Sequence, residues 1–228
     1  MSTWLKTYLN MRRVCSTITI LAVVVSIYAK SPSSLPNLKG GMELKLNNGI
    51  GDDSVTAMYH CHRADSALYQ LQYGQAISYY KSALKIIEKL ILTTPDSTTW
   101  FSYASSLFNI GFAYQLSGQN DSSNVYLLNC QDVIMGKLFE KTALNALCLF
   151  RLKQCYSFLG NRLKQKEIYN RAIELSLSLF SENDLFLGMT YHQMGYHYYL
   201  MNDFEKMNFF FQKVELIFDR INHNKNLY

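Results

Sequence analysis

Turn-forming residues are scarce in this sequence. Only 11 glycines and 3 prolines occur among 228 residues, whereas a β-sandwich or β-barrel would need a turn about every 8–12 positions. Charged residues make up 17% of the chain and hydrophobic residues 49%, which is too apolar a composition for a disordered protein. Mainly-β, collagen-like and low-complexity classes are therefore excluded, and the length fits one or two folded domains.

Cysteine pairs with metal-binding spacing are also missing, because no two of the five cysteines are separated as CxxC. Cys148 and Cys155 are seven residues apart and share one helix face, while Cys130 and Cys148 face each other if the repeat register described below holds. A disulfide in an exported protein is one interpretation of this spacing. Small buried core residues are the interpretation we favour.

Catalytic and metal-ligand patterns are absent as well. His60 and His62 diverge on a helix, because successive residues are separated by about 100°, and His192 and His197 are five residues apart. We find no nucleophile elbow, phosphate-binding loop or zinc spacing. The sequence therefore predicts a protein that is not an enzyme and that needs no metal or cofactor.

Acidic residues are missing from the first 29 positions, which carry three basic side chains. The remaining chain has a net charge of only +2 and lacks the basic face that nucleic-acid binding requires. We therefore predict no nucleic-acid partner.

The same 29 residues have the pattern of an export signal. Two arginines precede a 16-residue apolar run that ends at Ala29, which is shorter than the roughly 20 residues of a spanning helix. We predict export to the periplasm with cleavage after Ala29. Ile27 stands where a small side chain is preferred, so retention as a membrane anchor is the alternative, and Met11 rather than Met1 as the start would give a leader of ordinary length.

A polar stretch at residues 30–53 contains glycines and prolines and is typical of a flexible linker. From Ser54 onward the apolar residues follow helical periodicity. The predicted breaks between helices are Thr93–Thr98, Gly118–Asp121, Gly160–Asn161, Ser181–Asp184 and Asn202–Asp203.

Four segments of this helical region align with one another. We define the repeat column by Ala76, Ser123, Gln165 and Met207, which follow one another at steps of 47, 42 and 42 residues. Positions four and seven places after the column keep the same helix face toward one neighbour. The residues four places after the column are Tyr80, Leu127, Tyr169 and Phe211.

The helix that precedes the column repeats too. Twelve places before the column stands a small residue that would let helix backbones approach closely, and Lys153 is the exception. Five places before the column stands a turn residue, except in the first segment, which has Leu71. The small residues are Ala64, Gly111 and Gly195, and the turn residues are Gly118, Gly160 and Asn202.

These residues resemble the tetratricopeptide repeat (TPR), most clearly at 76–84 and 109–118. The period exceeds the usual 34 residues or so, as in the long-period kinesin-light-chain-like variety. The resemblance covers about residues 57–221 and implies an all-α fold, a right-handed α-α superhelix of about four helical hairpins within a domain at 54–228. The implied units are about 57–93, 104–138, 146–180 and 188–221.

The resemblance also implies a partner-binding groove, because in this family the first helix of each unit lines the concave face. An extended or helical peptide would dock there on rigid aromatic anchors. The alternative is that neighbouring first helices pack together and hide these rings. The implied groove residues are Asp65, Leu68, Tyr69, Phe108, Phe112, Gln115, Phe150, Gln154, Phe158, His192, Tyr196 and Tyr199.

The sequence thus predicts a non-catalytic scaffold, exported or membrane-tethered, that binds a protein or peptide. The Lys and Asn pattern of relatives that bind a C-terminal carboxylate is missing, so that ligand is not predicted. One alternative is a periplasmic sensor or regulatory repeat domain whose output module is on another chain or was lost. Another is a homo-oligomer that stacks through its last helix, where Phe209 and Phe210 are hard to bury together.

Overall fold

The computed structural model describes residues 50–137, 139–181 and 184–225, with side chains described from 53 to 220 within those ranges. Every regular element in these ranges is an α-helix, so the predicted all-α class is confirmed. The helices are α1 (Ile50–Tyr69), α2 (Tyr73–Thr93), α3 (Ser97–Leu116), α4 (Asn120–Gly136), α5 (Ala143–Phe158), α6 (Arg162–Leu179), α7 (Leu185–Leu200) and α8 (Phe204–Lys225).

The helices follow one another as four hairpins, α1–α2, α3–α4, α5–α6 and α7–α8, each closed by a turn of three residues. A connection this short forces the two helices of a pair to run antiparallel and to pack side by side. The described residues divide into two compact bodies, one that ends at Ala172 and one that begins at Ile173. The boundary falls inside α6, and each body is described by itself below.

Helix α1 begins at Ile50, inside the stretch that the sequence assigned to the linker. The breaks predicted between helices all fall at the ends of the observed helices. The predicted leader and the first part of the predicted linker lie outside the described residues. No helix within the described ranges is long and apolar enough to cross a membrane.

The turn inside each hairpin has one repeated backbone geometry. The residue five places before the repeat column is left-handed in all four, with φ of 60° at Leu71, 79° at Gly118, 70° at Gly160 and 58° at Asn202. The next residue then donates its N–H to the carbonyl five residues earlier, at 2.8–3.0 Å. This Schellman arrangement satisfies carbonyls at the helix end. Glycine adopts the left-handed conformation without strain, whereas the same conformation at Leu71 costs about 1–2 kcal/mol.

Several helices are started by a polar side chain that caps free backbone N–H groups. Asp96 caps α3, Thr142 caps α5 and Asp184 caps α7. Their side-chain oxygens accept hydrogen bonds from backbone N–H groups at 2.7, 3.3 and 2.8 Å. These caps fix where each hairpin begins, and so where its first helix stands.

The two helices of a hairpin meet where the small residue was predicted. A Cβ added to Gly111 would lie 2.8 Å from Leu127 Cγ, and one added to Gly195 would lie 2.6 Å from a Phe211 ring carbon. Real Cβ atoms essentially never come this close. The glycines therefore permit a close approach of the two helices, as the spacing predicted.

The third hairpin solves the same contact differently. Lys153 is only 4% exposed, and its Nζ lies 5.5 Å from the centroid of the Tyr169 ring. The long apolar stem fills the space and the ammonium group stacks on an aromatic face. Burial lowers the pKa of the Lys153 amine below its usual value.

A second cation–aromatic contact closes the hairpin formed by α3 and α4. Trp100 lies in the first turn of α3, and Lys137 follows the last residue of α4. The Lys137 ammonium lies 3.9 Å from the centroid of the Trp100 ring. The open end of this hairpin is thereby pinned by a contact between its first and last turns.

Candidate functional site

The predicted groove residues of α3 form the floor of the candidate site. Phe108 and Phe112 lie one turn apart with their rings nearly parallel and their centroids 6.3 Å apart. Both are buried, at 2% and 0% exposure. In this structure the two rings pack inside the protein, beneath the candidate site, and neither is accessible to a ligand.

Arg151 of α5 lies directly over this aromatic floor. Its guanidinium carbon is 4.2 Å from the centroid of the Phe112 ring, and its Nη1 donates a hydrogen bond of 3.2 Å to Gln154 Oε1. Burial lowers the pKa of the Arg151 guanidinium to about 10. The group remains a cation at neutral pH, held partly out of water.

No carboxylate among the described side chains neutralises this cation. Among the described residues Arg151 forms no ion pair, and the one salt bridge in those ranges joins Lys206 to Asp203. A charge removed from water without an opposite charge is costly, because it loses hydration without a compensating attraction. Arg151 is therefore a partly buried cation without an opposite charge among the described side chains.

Two amide side chains contact Arg151, Gln154 at the guanidinium and Gln115 at the backbone carbonyl. Gln115 Nε2 donates to the Arg151 carbonyl at 3.2 Å and to Cys155 Sγ at 3.5 Å. Its Oε1 is buried and has no hydrogen-bond partner among the described residues. We call Phe112, Gln115, Arg151 and Gln154 the Arg151 cluster. It joins α3 to α5 and contains one cation and one unsatisfied buried acceptor.

Two of the predicted groove residues are prominently exposed. Tyr69 ends α1 and Phe158 ends α5, and they are 72% and 70% exposed. Both stand seven places before the repeat column, where α3 and α7 carry the exposed residues Leu116 and Leu200. A large apolar residue therefore stands in water at the end of every first helix.

The other predicted groove residues of this body contribute to packing. Phe150 and Leu68 are buried. Asp65 accepts a hydrogen bond from the Tyr80 hydroxyl within the first hairpin, and burial raises the pKa of the Asp65 carboxyl. Asp65 is thus engaged in holding α1 to α2.

The remaining predicted residues belong to the second body. His192 lies with its ring centroid 5.8 Å from that of Phe211, and Tyr196 and Tyr199 stack at 6.2 Å. On α8, Phe210 is partly buried and stacks on Tyr198. These contacts place aromatic rings along α7 and α8, and the binding role of His192, Tyr196 and Tyr199 stays a prediction.

Phe209 differs from its neighbour Phe210, because its ring is 53% exposed. The Lys213 ammonium lies 5.1 Å from the centroid of this ring. Of the two residues that the sequence singled out for self-association, only Phe209 therefore presents most of its ring to water.

Arg151 is the functional candidate that the sequence analysis missed. It stands three residues before Gln154, a predicted groove residue, so helical spacing places Arg151 and Gln154 on one face of α5. The helical spacing alone could therefore have added Arg151 to the predicted groove residues. That it stacks on Phe112 of another helix and lacks a carboxylate depends on the packing of α3 against α5.

The Arg151 cluster is equipped to bind and not to react. It contains an arginine, two amides and an aromatic ring, none of which is poised as a nucleophile or as a base near neutral pH. No group of three His, Cys, Asp or Glu side chains in the described ranges is placed to hold a metal ion. A guanidinium is the side-chain group best suited to pair with a planar anion by charge-assisted hydrogen bonds.

Comparison with family models and with curated proteins found no match for the sequence. Among solved structures the chain is similar to BtubC (BKLC) from P. vanneervenii, a kinesin light chain-like TPR protein, with a TM-score of 0.57 and 16% identity. The match covers 81% of this chain and 69% of BtubC. At this identity the likeness concerns the fold, and it confirms the TPR-like helical repeat predicted from the sequence.

Proposed function

We propose that this TPR-like repeat protein is a non-catalytic scaffold that binds a protein or peptide partner carrying an acidic side chain. The partner docks beside α3 and α5, and its carboxylate pairs with Arg151. We further propose that the chain works outside the cytoplasm, exported or tethered by its N-terminal segment.

The observation that carries this proposal is the position of Arg151. Its guanidinium is held against Phe112 and Gln154, so its planar face and direction are fixed before a ligand arrives. A pre-organised arginine loses little side-chain entropy on binding and offers paired N–H donors to a carboxylate. A hydrogen bond to a charged group is worth about 1.5–3 kcal/mol, enough to select an acidic side chain over its amide.

Exposed apolar residues supply the second part of the recognition. Phe158 lies two turns beyond Arg151 on α5, about 10 Å along the helix axis, and most of its ring is exposed. Aromatic side chains contribute large contact areas at low entropic cost in protein interfaces. We therefore expect the partner to carry an apolar residue within a few positions of its acidic residue.

Peptide display on the full chain tests this proposal without knowledge of the natural partner. Random peptides are selected on the immobilised protein, and the enriched ones are synthesised with their acidic residue intact or replaced by the amide. Calorimetry then gives both affinities. We expect an acidic residue in the enriched peptides and a loss of about 10-fold or more on its replacement.

Arg151→Gln and Arg162→Gln form the matched pair of variants, because each removes one positive charge and Arg162 lies exposed outside the cluster. Arg151→Gln should weaken the acidic peptide and leave the amide peptide unchanged, while Arg162→Gln should alter neither. Equal affinities for the two variants, or enriched peptides without acidic residues, would show that Arg151 is not the recognition site.

Self-association through α8 is the second candidate function, and the exposed ring of Phe209 favours it. Phe209 and Leu216 are seven residues apart on one face of the helix, and both are more than half exposed. Sedimentation velocity of the full chain and of Phe209→Ala tests this candidate. A fall in mass on substitution supports an oligomer, and a monomer before substitution excludes it.

The proposed export has its own test. The N-terminus of the protein purified from its cells is determined by mass spectrometry. A chain that begins at Lys30 supports cleavage after Ala29, and an intact leader in the membrane fraction supports tethering. An intact leader in the soluble cytoplasmic fraction would contradict both.

A further inference from the structure

Three thiols are fully buried between α4 and α5. Cys130 belongs to α4, Cys148 and Cys155 belong to α5, and each has 0% exposure. The Arg151 cluster uses only one of them, since Gln115 contacts Cys155. Cys130 and Cys148 have no part in the function proposed above.

Cys148 of α5 lies against the turn of α4 that contains Cys130. Cys148 Sγ donates to the Leu127 carbonyl at 3.4 Å, and Leu127 is one turn before Cys130 on the same face of α4. The neighbouring Cys130 thiol also raises the pKa of the Cys148 thiol. The facing arrangement predicted from the repeat register is therefore present in the structure.

Cys155 is not an alternative partner for Cys148. The two residues are seven positions apart on one helix, roughly 10 Å along its axis, whereas a disulfide needs Cα atoms within about 7 Å. The Cys155 sulfur is instead 3.5 Å from Ser123 Oγ and from Gln115 Nε2. Of the two possible partners for Cys148, Cys130 is therefore the one that the geometry favours.

We propose that Cys130 and Cys148 are a redox site that closes as a disulfide linking α4 to α5, and so the second repeat unit to the third. A low-molecular-mass disulfide such as oxidised glutathione is the oxidant. One cysteine thiolate attacks it and releases one glutathione thiolate, giving a mixed disulfide. The second thiolate attacks the protein sulfur of that mixed disulfide and releases the second glutathione. Two protein thiols are oxidised, and one glutathione disulfide is reduced to two thiols.

The folded protein protects this site from casual reaction. The neighbouring Cys130 thiol and burial hold the pKa of the Cys148 thiol well above its usual range, so the reactive thiolate is rare in the closed structure. Oxidation therefore accompanies folding or a local opening of α5 from α4. Once formed, the bond fixes the helix that carries Arg151, three residues after Cys148.

The test is disulfide mapping of the full chain after refolding in a glutathione redox buffer. Free thiols are alkylated and the protein is digested with trypsin. Cleavage after Lys137 and Lys141 separates Cys130 from Cys148, and cleavage after Arg151 and Lys153 separates Cys148 from Cys155. We expect one linked peptide pair that joins Cys130 to Cys148. Full alkylation of both residues, or a different pair, would overturn the proposal.

Thermal unfolding gives the second measurement. A disulfide that closes a loop of this size should raise the melting temperature by roughly 6–12 °C in a domain of about this length. We expect a reductant to remove that increase from the wild type and from Cys155→Ala, which retains the pair. It should change nothing in Cys130→Ala or Cys148→Ala. A reductant effect of equal size in all four proteins would contradict the assignment.

Discussion

The second and third hairpins make the same helix-to-helix contact with different chemistry. In the second, Gly111 admits the Leu127 side chain so closely that no Cβ would fit. In the third, the buried Lys153 stands in the place of the glycine and faces Tyr169. The two contacts occupy the same positions in the repeat, twelve places before the column and four after it.

This difference shows what the repeat constrains. A small residue brings two backbones together, whereas a long flexible side chain holds them by filling the space and by a cation–π contact. The repeat therefore specifies which two positions touch, and the side chains there decide how. Substitutions at Gly111 and Lys153 test the two sides of this comparison, and substitutions in the turns of the first two hairpins then have the smallest expected effect.

The largest effect is expected from Gly111→Val. The added side chain meets Leu127, which is fully buried and whose backbone nitrogen would lie only 3.3 Å from the new Cβ. We expect a loss of about 3 kcal/mol in the free energy of unfolding, near the upper end for overpacking. Urea unfolding followed by circular dichroism measures it. Gly74→Ala, in the first turn of α2 where a Cβ meets nothing within 4 Å, is the control and should change stability by less than about 0.5 kcal/mol.

Lys153→Ala should be less severe, because it removes packed methylenes and a charge together. We expect a loss of about 2 kcal/mol. Lys153→Met keeps most of the volume without the buried charge and should stay within about 1 kcal/mol of wild type. The same unfolding experiment compares them. If Lys153→Ala and Lys153→Met lose equal stability, the contact of the ammonium with Tyr169 contributes more to the free energy of unfolding than the packing of the methylenes does.

Alkaline pH should change the stability of the wild type relative to Lys153→Met by a smaller amount. Burial lowers the Lys153 pKa in the folded state, so the unfolded chain holds its proton to higher pH than the folded protein. Stability rises with pH wherever the unfolded state binds more protons. We expect the wild type to gain on the variant as the pH approaches 10.5, measured by urea unfolding at pH 7 to 10. A constant difference over this range would mean that the Lys153 pKa is unshifted.

The smallest effect concerns the turns. Leu71→Gly removes strain at a left-handed residue whose side chain is 63% exposed, so we expect a gain of about 0.5–1 kcal/mol. Gly118→Ala introduces the same strain in the second hairpin and should cost about 1 kcal/mol. Thermal unfolding of the two variants resolves these opposite signs. A loss on Leu71→Gly would indicate that the leucine stabilises the turn by packing.

Much of the fold was predictable because its rules are local. The turn column placed Gly118, Gly160 and Asn202 where the backbone is left-handed, and the small-residue column located the close contacts of Gly111 and Gly195. Helical spacing of this kind depends only on neighbours in sequence. Leu71 shows where residue type alone fails to predict a turn. Its position in the repeat indicates a turn residue, but leucine is not a residue that usually forms one.

The candidate site was less predictable, because burial is decided by packing between hairpins. Phe108 and Phe158 belong to the same predicted set, yet one is 2% exposed and the other 70%. Phe158 is the last residue of α5, whereas Phe108 lies inside α3, where its exposure depends on the helices packed against it. Arg151 was missed for the same reason, since its stacking contact is with Phe112 of another helix.

The contact between Trp100 and Lys137 gives the molecule an optical reporter of its own. The chain has two tryptophans, and Trp4 lies in the predicted leader, so the light emitted by a processed chain would come from Trp100. An ammonium group 3.9 Å from the ring centroid perturbs the excited state of the indole. The Lys137 ammonium moves away from the ring when α3 and α4 separate. Tryptophan emission should therefore report the opening of the second hairpin without any attached dye.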